Sequence, residues 1–281
     1  MKPRDGRRAL VVLSARGLGG FLAAVPAYRA LAWAYPRHRR VLICDAAVLP
    51  LVPYVGAFDD AVALPFGSVP DGLQRPALAV NLHGRGPWSH RVLLTLSPAR
   101  LIAFAHPSVP ESRRGATWRT RESDRERWCR LLAAYGVAVD ADDVELIPPA
   151  RPVPSFVRGA TVIHPGTSRA SERRPTAEWI GVACAERRAG RSVIVTGGPD
   201  EVGLANQVAA GAALMPERVF AGRVSTLDLA ALVAAGRGVV TSDSGMVQLA
   251  AAMGKPWLRP QLGAHARGAA PVALTVVTPA S

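Results

Sequence analysis

The chain has 281 residues, 49% of them hydrophobic, which is enough for two domains of ordinary size that each bury a core. Its apolar runs are far shorter than the roughly 20 residues of a membrane-spanning helix, and no signal peptide is recognisable, so we expect a cytoplasmic protein with at most peripheral membrane contact. The formal net charge of +13 would suit nucleic acid, but no nucleic-acid-binding motif accompanies it, and an acidic, phosphate-bearing substrate accounts for the charge at least as well.

The three cysteines predict neither a disulfide framework nor a zinc site. Cys44, Cys129 and Cys184 are widely spaced, and no two of them form a CxxC pair. The chain also lacks the clustered carboxylates that usually hold a catalytic magnesium ion. We therefore expect buried cysteines and no metal site.

The N-terminal half alternates short apolar runs with helical segments. Residues 9–13 predict a buried strand, which a glycine-containing loop connects to a helix over 21–35. Further strands are predicted at 41–44, 61–64, 78–82 and 101–104. Continuous short apolar runs of this kind are typical of a parallel sheet that is covered on both faces.

A proline-rich segment leads into a second half with the same alternation. The prolines between Pro148 and Pro154 favour an extended connection, because proline supplies no backbone N–H. We therefore expect two domains, residues 1–150 and 151–281. The second is predicted to contain strands at 161–163, 192–196 and 238–240 and helices at 176–188, 201–212, 226–235 and 245–253.

Three loops of the second domain follow predicted strands and should therefore open on one edge of the sheet. They span residues 164–168, 197–201 and 242–245. The last loop leads directly into an alanine-rich helix, whose first N–H groups could hold a diphosphate. Taken alone, Asp243 and Ser244 are equally well interpreted as helix N-caps, and the second loop as a tight strand-to-helix turn.

In order and spacing these loops resemble those of glycosyltransferase family 9, which contains the ADP-heptose:lipopolysaccharide heptosyltransferases. The matching segments are Leu18–Gly20 with Pro26–Leu31, Asn81–Gly84, His164–Ser168, Gly197–Glu201, Ala221–Arg223 and Asp243–Gly245. The resemblance covers most of the chain. It implies an α/β protein of GT-B architecture, with two Rossmann-like, doubly wound domains that face a central cleft.

The resemblance also implies a donor site in the C-terminal domain. The residues that match the family's donor-binding loops are Thr167, Ser168, Gly197, Gly198, Glu201, Ser244 and Gly245. Among these, Glu201 would bind a ribose hydroxyl. Asp243 would act beside the donor sugar, and Arg173 would take over a phosphate contact in catalysis, although a solvated surface arginine is an equally good interpretation of Arg173.

The implied reaction is the metal-independent transfer of a sugar with inversion. The donor would be ADP-heptose or a similar nucleotide-diphosphate sugar, and the acceptor a carbohydrate or another hydroxyl compound. Because the donor is a substrate, the resemblance implies no cofactor.

The N-terminal motif departs from the family pattern at the residue that resembles a general base. This chain has Gly20 where the family has an acid, so Gly19 and Gly20 are expected to contribute acceptor-side backbone only. His83 is the best-placed substitute, since a near-neutral pKa suits proton transfer, and Arg85 could meet an anionic acceptor. A loop-packing role explains His83 equally well. The weaker candidates for the base are His90 and Asp45.

Two other functions stay open at this point. A homologue that has lost the base would bind the nucleotide sugar without turnover. Two Rossmann-like halves would also suit a dinucleotide-dependent oxidoreductase or a GT-B-like epimerase, although no Gly-x-Gly-x-x-Gly fingerprint follows the first strand.

Overall fold

The structure is a computed structural model that describes residues 6–63, 72–167 and 170–260. The chain divides into two compact units, Met1–Val144 and Glu145–Ser281. The boundary expected at residue 150 thus lies inside the second unit. The segment before the prolines is held there by a hydrogen bond of 2.8 Å from the Leu146 N–H to the carbonyl oxygen of Ala252.

The first unit alternates strands and helices, as its apolar pattern predicts. Its elements are β1 (Ala9–Ser14), α1 (Gly17–Ala23), α2 (Val25–Ala34), β2 (Arg39–Cys44), α3 (Val52–Val55), β3 (Asp60–Ala63), β4 (Leu78–Asn81), α4 (Trp88–Leu94), β5 (Leu101–Ile102) and α5 (Asp124–Ala133). The strands form a five-stranded sheet in the order β3-β2-β1-β4-β5, with all neighbouring strands parallel. The chain order reverses direction between β1 and β4, as in doubly wound sheets.

The helix predicted over residues 21–35 is instead two helices, α1 and α2. Pro26 in the first turn of α2 has no N–H to donate to the carbonyl four residues earlier, so a continuous helix would be broken there. In addition, α1 already begins at Gly17. Gly19 and Gly20, which were expected in a loop, therefore lie inside α1.

The central strand of this sheet is buried on both faces. None of the side chains of residues 10–13 in β1 is exposed, and the same is true of residues 41–44 in β2. An exposed face would require every second side chain to be polar. The continuous apolar runs in the sequence are thus explained by helices that cover both faces of the sheet.

The second unit repeats the alternation. Its elements are β6 (Thr161–His164), α6 (Thr176–Arg188), β7 (Val193–Val195), α7 (Val202–Gly211), α8 (Thr226–Ala235), β8 (Gly238–Thr241), α9 (Ser244–Ala252) and β9 (Trp257–Leu258). The strands form a parallel sheet in the order β7-β6-β8-β9. Among the helices of the described ranges, none is both long and apolar enough to cross a lipid bilayer.

A fully buried acid connects α6 to the beginnings of three strands in the second unit, β6, β7 and β8. The Glu186 carboxylate accepts hydrogen bonds from Thr161 and from Arg191 at 2.7 and 2.8 Å, and from Arg237 at 3.2 Å. Burial would by itself raise the pKa of Glu186. The hydrogen bonds from Arg191 and Thr161 and the charges of the two arginines outweigh it and hold that pKa below its ordinary value.

Replacing Glu186 with glutamine should lower the free energy of unfolding at pH 7 by about 2–3 kcal/mol, because several charge-assisted hydrogen bonds are lost. The folded-state pKa lies below the unfolded-state value near 4.5, so the carboxylate stabilises the fold above that pH and ceases to do so as the pH falls through the folded-state pKa. Urea unfolding followed by the fluorescence of the buried Trp179 should show the difference from wild type shrinking below pH 4.5.

A matched control lies on the same helix. Glu178 pairs with Arg174 at 2.8 Å, but both side chains are partly exposed, and such pairs contribute about 0.2–1 kcal/mol. Glu178→Gln should therefore change stability much less. Equal effects of the two substitutions would contradict the structural role of Glu186.

Candidate functional site

The three glycine-containing loops of the second unit emerge from neighbouring strands. β6 lies between β7 and β8, and all three strands run parallel. The loops that follow them, beginning at His164, Thr196 and Ser242, therefore start at the same edge of the sheet. This is the edge at which doubly wound folds bind their ligands.

The centre of this edge is a contact between His164 and Glu201. The Oε2 atom of Glu201 lies 3.5 Å from Nε2 of His164 and accepts a hydrogen bond of 2.7 Å from the Gly198 N–H. The Nδ1 atom of His164 lies 3.0 Å from Oγ1 of Thr196. Burial lowers the pKa of His164, and the charges of Glu201 and Asp243 oppose that shift only in part, so the imidazole is neutral at pH 7.

Glycine is required where the first loop passes Glu201. A Cβ atom on Gly166 would lie 1.9 Å from Oε1 of Glu201 and 2.0 Å from its Cδ. The backbone of the loop after β6 thus lies directly against the carboxylate. Any side chain at position 166 would push the carboxylate of Glu201 out of its present place.

A second close approach brings in the segment Ala221–Arg223. A Cβ atom on Gly197 would lie 3.1 Å from Cβ of Glu201 and 3.2 Å from Cβ of Ala221. Gly222, with a φ of +67°, donates from its N–H to the carbonyl oxygen of Gly197 at 3.0 Å. Three segments that are far apart in the sequence therefore pack together through their glycines.

The third loop ends in a capped helix. Asp243 is the N-cap of α9: its Oδ1 accepts from the Met246 N–H at 3.0 Å, and its own N–H donates to Oγ1 of Thr241 at 3.0 Å. Ser244 and Gly245 are the first residues of α9, where N–H groups have no intrahelical partner. This helix start can bind an anion through those N–H groups and the helix dipole.

One residue of this edge, Ser242, was not among the predicted donor-binding residues. The hydroxyl of Ser242 is buried and has no hydrogen-bond partner within the described part of the chain, although the sequence did not single it out. Thr167 is buried at the end of the first loop. The predicted donor residue Ser168 lies outside the described residues.

Arg173 is not joined to this cluster by any contact in the described residues. It lies between a short 3-10 turn, Ala170–Glu172, and the start of α6, and its side chain is exposed. The neighbouring Arg174 instead pairs with Glu178 on α6. Arg173 is free to turn toward an anion, but the structure supplies no partner that holds it there.

In the first unit, His83 follows β4 and combines burial with a free ring atom. The backbone N–H of His83 donates to Oδ1 of Asn81 at 2.9 Å. The imidazole ring packs on Trp88, with the two ring centroids 5.4 Å apart. Nδ1 is buried without a hydrogen-bond partner among the described residues. Burial, and secondarily the charge of Arg16, lowers the pKa of His83, so the ring is neutral at pH 7 and able to accept a proton.

The two weaker candidates for the base have structural roles. His90 is fully buried, with Nε2 2.7 Å from the carbonyl oxygen of Phe104 and Nδ1 3.0 Å from Nδ2 of Asn81. Both of its ring nitrogens are therefore occupied. Asp45 accepts from the Ala47 N–H at 2.9 Å and caps a short 3-10 helix.

The space that a side chain at position 20 would take is occupied by the side chain of Arg16. A Cβ atom on Gly20 would lie 2.5 Å from Cβ and 3.2 Å from Nε of Arg16. Arg16 donates to the carbonyl oxygen of His83 at 3.1 Å and pairs with Asp124 at 2.7 Å. Sequence reasoning missed both Arg16 and Asp124. Arg16 directly precedes the glycine segment, but nothing in the sequence pairs it with an aspartate at the start of α5.

Arg85 is exposed and makes no ion pair with another described residue. Within residues 6–63, 72–167 and 170–260, no three His, Cys, Asp or Glu side chains cluster closely enough to hold a metal ion. The three thiols are free: Cys44 is buried, whereas Cys129 and Cys184 are partly exposed.

Solved structures resemble this chain in fold over most of its length. A glycosyl transferase family 9 protein from Veillonella parvula DSM 2008 aligns with a TM-score of 0.72 at 17% identity, covering 90% of this chain and 80% of that one. E. coli ADP-heptose LPS heptosyltransferase II aligns with a TM-score of 0.65 at 21% identity, covering 89% of this chain and 84% of that one. E. coli heptosyltransferase WaaC, solved with ADP-2-deoxy-2-fluoro heptose, gives 0.67 at 16%, covering 89% and 88%. These likenesses confirm the predicted α/β fold of the GT-B class.

No curated protein sequence gives a significant match to the chain. The sequence model of glycosyltransferase family 9 (heptosyltransferase) matches residues 132–259. That range contains the loops at 164–167, 197–201 and 242–245 and the segment Ala221–Arg223. The chain therefore matches glycosyltransferase family 9 in sequence over residues 132–259, slightly under half of its length. In fold it resembles the solved structures over most of its length.

Proposed function

We propose that the chain transfers a sugar from a nucleotide-diphosphate sugar, with ADP-heptose as the expected donor, to a hydroxyl of a carbohydrate or other acceptor. The observation that carries this proposal is the packing of two loops and the segment Ala221–Arg223 around Glu201, at the edge of the sheet where α9 also begins. An adenosine diphosphate donor is further supported by the solved relatives, one of which is named for ADP-heptose and another of which holds a fluorinated ADP-heptose.

The donor diphosphate is assigned to the start of α9. The N–H groups of Ser244 and Gly245 and the hydroxyls of Thr167 and Ser168 would donate to its oxygens. Gly197 and Gly198 carry no side chain that would keep the ligand from the second loop. No metal ion or cofactor is required, since hydrogen-bond donors and the helix dipole can stabilise the charge that develops on the leaving diphosphate.

Glu201 is assigned to a ribose hydroxyl. One of its oxygens is held by the Gly198 N–H, and its side chain remains 24% exposed. A carboxylate that is already oriented by the backbone loses little conformational freedom when a ligand binds. Asp243 caps α9 through Oδ1, and its charge acts on His164, the residue that contacts Glu201.

The reaction proposed is a single displacement at the anomeric carbon. The acceptor oxygen forms the new bond on the face opposite the diphosphate, the bond to the diphosphate oxygen breaks, and the nucleoside diphosphate leaves with the electron pair. The acceptor proton passes to a base, for which His83 is our candidate because its ring is neutral at pH 7 and lies directly after β4. Arg173 and Arg85 are assigned to the leaving phosphate and to an anionic acceptor group, respectively.

The alternative of a non-catalytic sugar-nucleotide binder gains no support from the family match over residues 132–259. The acid at position 20 is absent, but the first unit retains a neutral histidine that can accept a proton. The family match does not favour an oxidoreductase either.

Glu201→Ala is expected to weaken ADP binding about tenfold, which corresponds to ~1.4 kcal/mol, because it removes the oriented acceptor for the ribose. Calorimetric titration of the purified protein with ADP, UDP and GDP measures this. Asp200→Ala is the control, since Asp200 is the exposed neighbour of Glu201 and carries the same charge. Equal ADP affinity in wild type and Glu201→Ala would remove Glu201 from the donor site.

His83→Gln is expected to lower kcat/KM by about 10²–10⁴ without changing ADP affinity, because it removes the proton acceptor. Since the pKa of His83 is lowered, wild-type activity should stay constant through pH 6.5 and fall only in more acidic solution, where the ring becomes protonated. The assay is ADP release from ADP-heptose with a panel of oligosaccharide acceptors, followed from pH 5 to 9.

The matched control for this experiment is His106→Gln. His106 bonds only within its own loop, where Nδ1 lies 3.0 Å from Oγ of Ser108, and its replacement should leave the rate unchanged. An acidic limb that persists in His83→Gln, or a full rate in that variant, would show that another group accepts the proton.

A further inference from the structure

The first unit contains an open cavity of about 710 Å³ that the proposed transfer reaction does not use. Its wall includes the end of α4, the beginning of β5 at Leu101, the turn at residues 110–114 and the end of α5. In a parallel α/β unit, helices end at the edge of the sheet where strands begin. The cavity therefore lies away from the carboxyl ends of the strands, where His83 is found.

Three arginines line this cavity. Arg100, Arg113 and Arg114 are exposed, and within the described ranges none of them pairs with a carboxylate. The acid that also lines the cavity, Glu111, makes no ion pair with them. The wall therefore keeps an excess of positive charge, with three arginines against one glutamate.

Arginines elsewhere in the same part of the chain are paired. Arg127 and Arg130 of α5 bind Asp124 and Glu122, and both also pack over aromatic rings. Their guanidinium groups are thus occupied by the fold itself. The cavity arginines differ in that they are exposed and none of them pairs with a carboxylate of the described residues, although Arg100 also packs over an aromatic ring.

The cavity wall is held in place by its own hydrogen bonds and close contacts. The hydroxyl of Tyr135 donates to the carbonyl oxygen of Ala103 at 3.2 Å, and the Arg100 guanidinium lies over the Tyr135 ring, 5.3 Å from its centroid. Gly115 fixes the turn from the other side: a Cβ atom there would lie 1.9 Å from that same carbonyl oxygen. The arginines are therefore displayed from a preformed wall.

We propose that this cavity binds a phosphate-bearing small molecule, with Arg100, Arg113 and Arg114 as the phosphate ligands. Guanidinium groups match phosphate geometry by donating two parallel hydrogen bonds each. The helix ends at the wall carry partial negative charges of about half an electron each, which the arginine charges exceed. The volume is within the roughly 300–1,000 Å³ of small-molecule sites, and the apolar wall around Leu101 and Tyr135 suits the carbon part of a sugar phosphate.

The test uses glucose 1-phosphate as the probe, with glucose as its uncharged counterpart. Calorimetric titration of the full chain in low salt and saturating ADP should show saturable binding of glucose 1-phosphate and none of glucose. Saturating ADP occupies the donor loops, so that a phosphate bound there is not counted. The double variant Arg113→Gln/Arg114→Gln and the single variant Arg100→Gln should each weaken binding at least fivefold, and raised salt should weaken it in wild type.

The control is Arg37→Gln/Arg158→Gln, which removes the same charge from two exposed arginines outside the cavity. Its affinity should equal that of wild type, and circular dichroism should show all variants folded. Absence of saturable binding, or an equal loss in the control, would overturn the proposal. Failure of ADP to bind would count against the proposed donor site only, because the cavity variants are compared with wild type at the same probe.

Discussion

The approach of the Gly166 backbone to the Glu201 carboxylate is the contact on which the C-terminal site depends. Strand β6 lies between β7 and β8, so the loop that follows it begins only about 5 Å from each of the other two loops. Because Gly166 has no side chain, the Glu201 carboxylate fits against the backbone of the first loop. The Gly198 N–H holds this carboxylate in place by a hydrogen bond. His164 contacts the Glu201 carboxylate, but its imidazole is neutral and does not form an ion pair with it. Glycine is therefore needed at position 166 because no side chain fits there.

The glycine of the first unit serves a different purpose. At Gly20 the missing side chain makes room for Arg16, whose guanidinium reaches both the His83 loop and Asp124 at the start of α5. A positive neighbour disfavours the imidazolium form of His83, and burial does so more strongly, so both lower the pKa of this histidine.

Most strands and helices were predictable, because strands buried on both faces appear in the sequence as unbroken apolar runs and the loops between them carry glycine and proline. The start of α1 was not, since glycines at its first turn have the composition of a loop, and the break at Pro26 was hidden inside a helical pattern. The order of the glycine-containing loops could be predicted, and His83 was preferred to His90 from the sequence, whereas the surroundings of His90 could not be predicted. Both histidines lie just after β4, and only the packing shows that His90 is enclosed between Asn81 and Phe104. Arg16 and Asp124 are 108 residues apart, and one arginine among 34 basic residues carries no local sign of its partner.

The positive charge of the chain becomes interpretable once paired and unpaired arginines are separated. With 34 basic and 21 acidic residues, some cations necessarily lack an acid. Arginines that pair, such as Arg127 and Arg191, stabilise helices or strand ends and add little to what a ligand would experience. Unpaired arginines of the described residues include Arg173 beside α6, Arg85 in the His83 loop and the three arginines of the cavity in the first unit. Small ligands with one or two phosphates need only such local groups, whereas a nucleic acid backbone is matched by positive charge extended along its length. The arginines at these places therefore suit small anionic ligands.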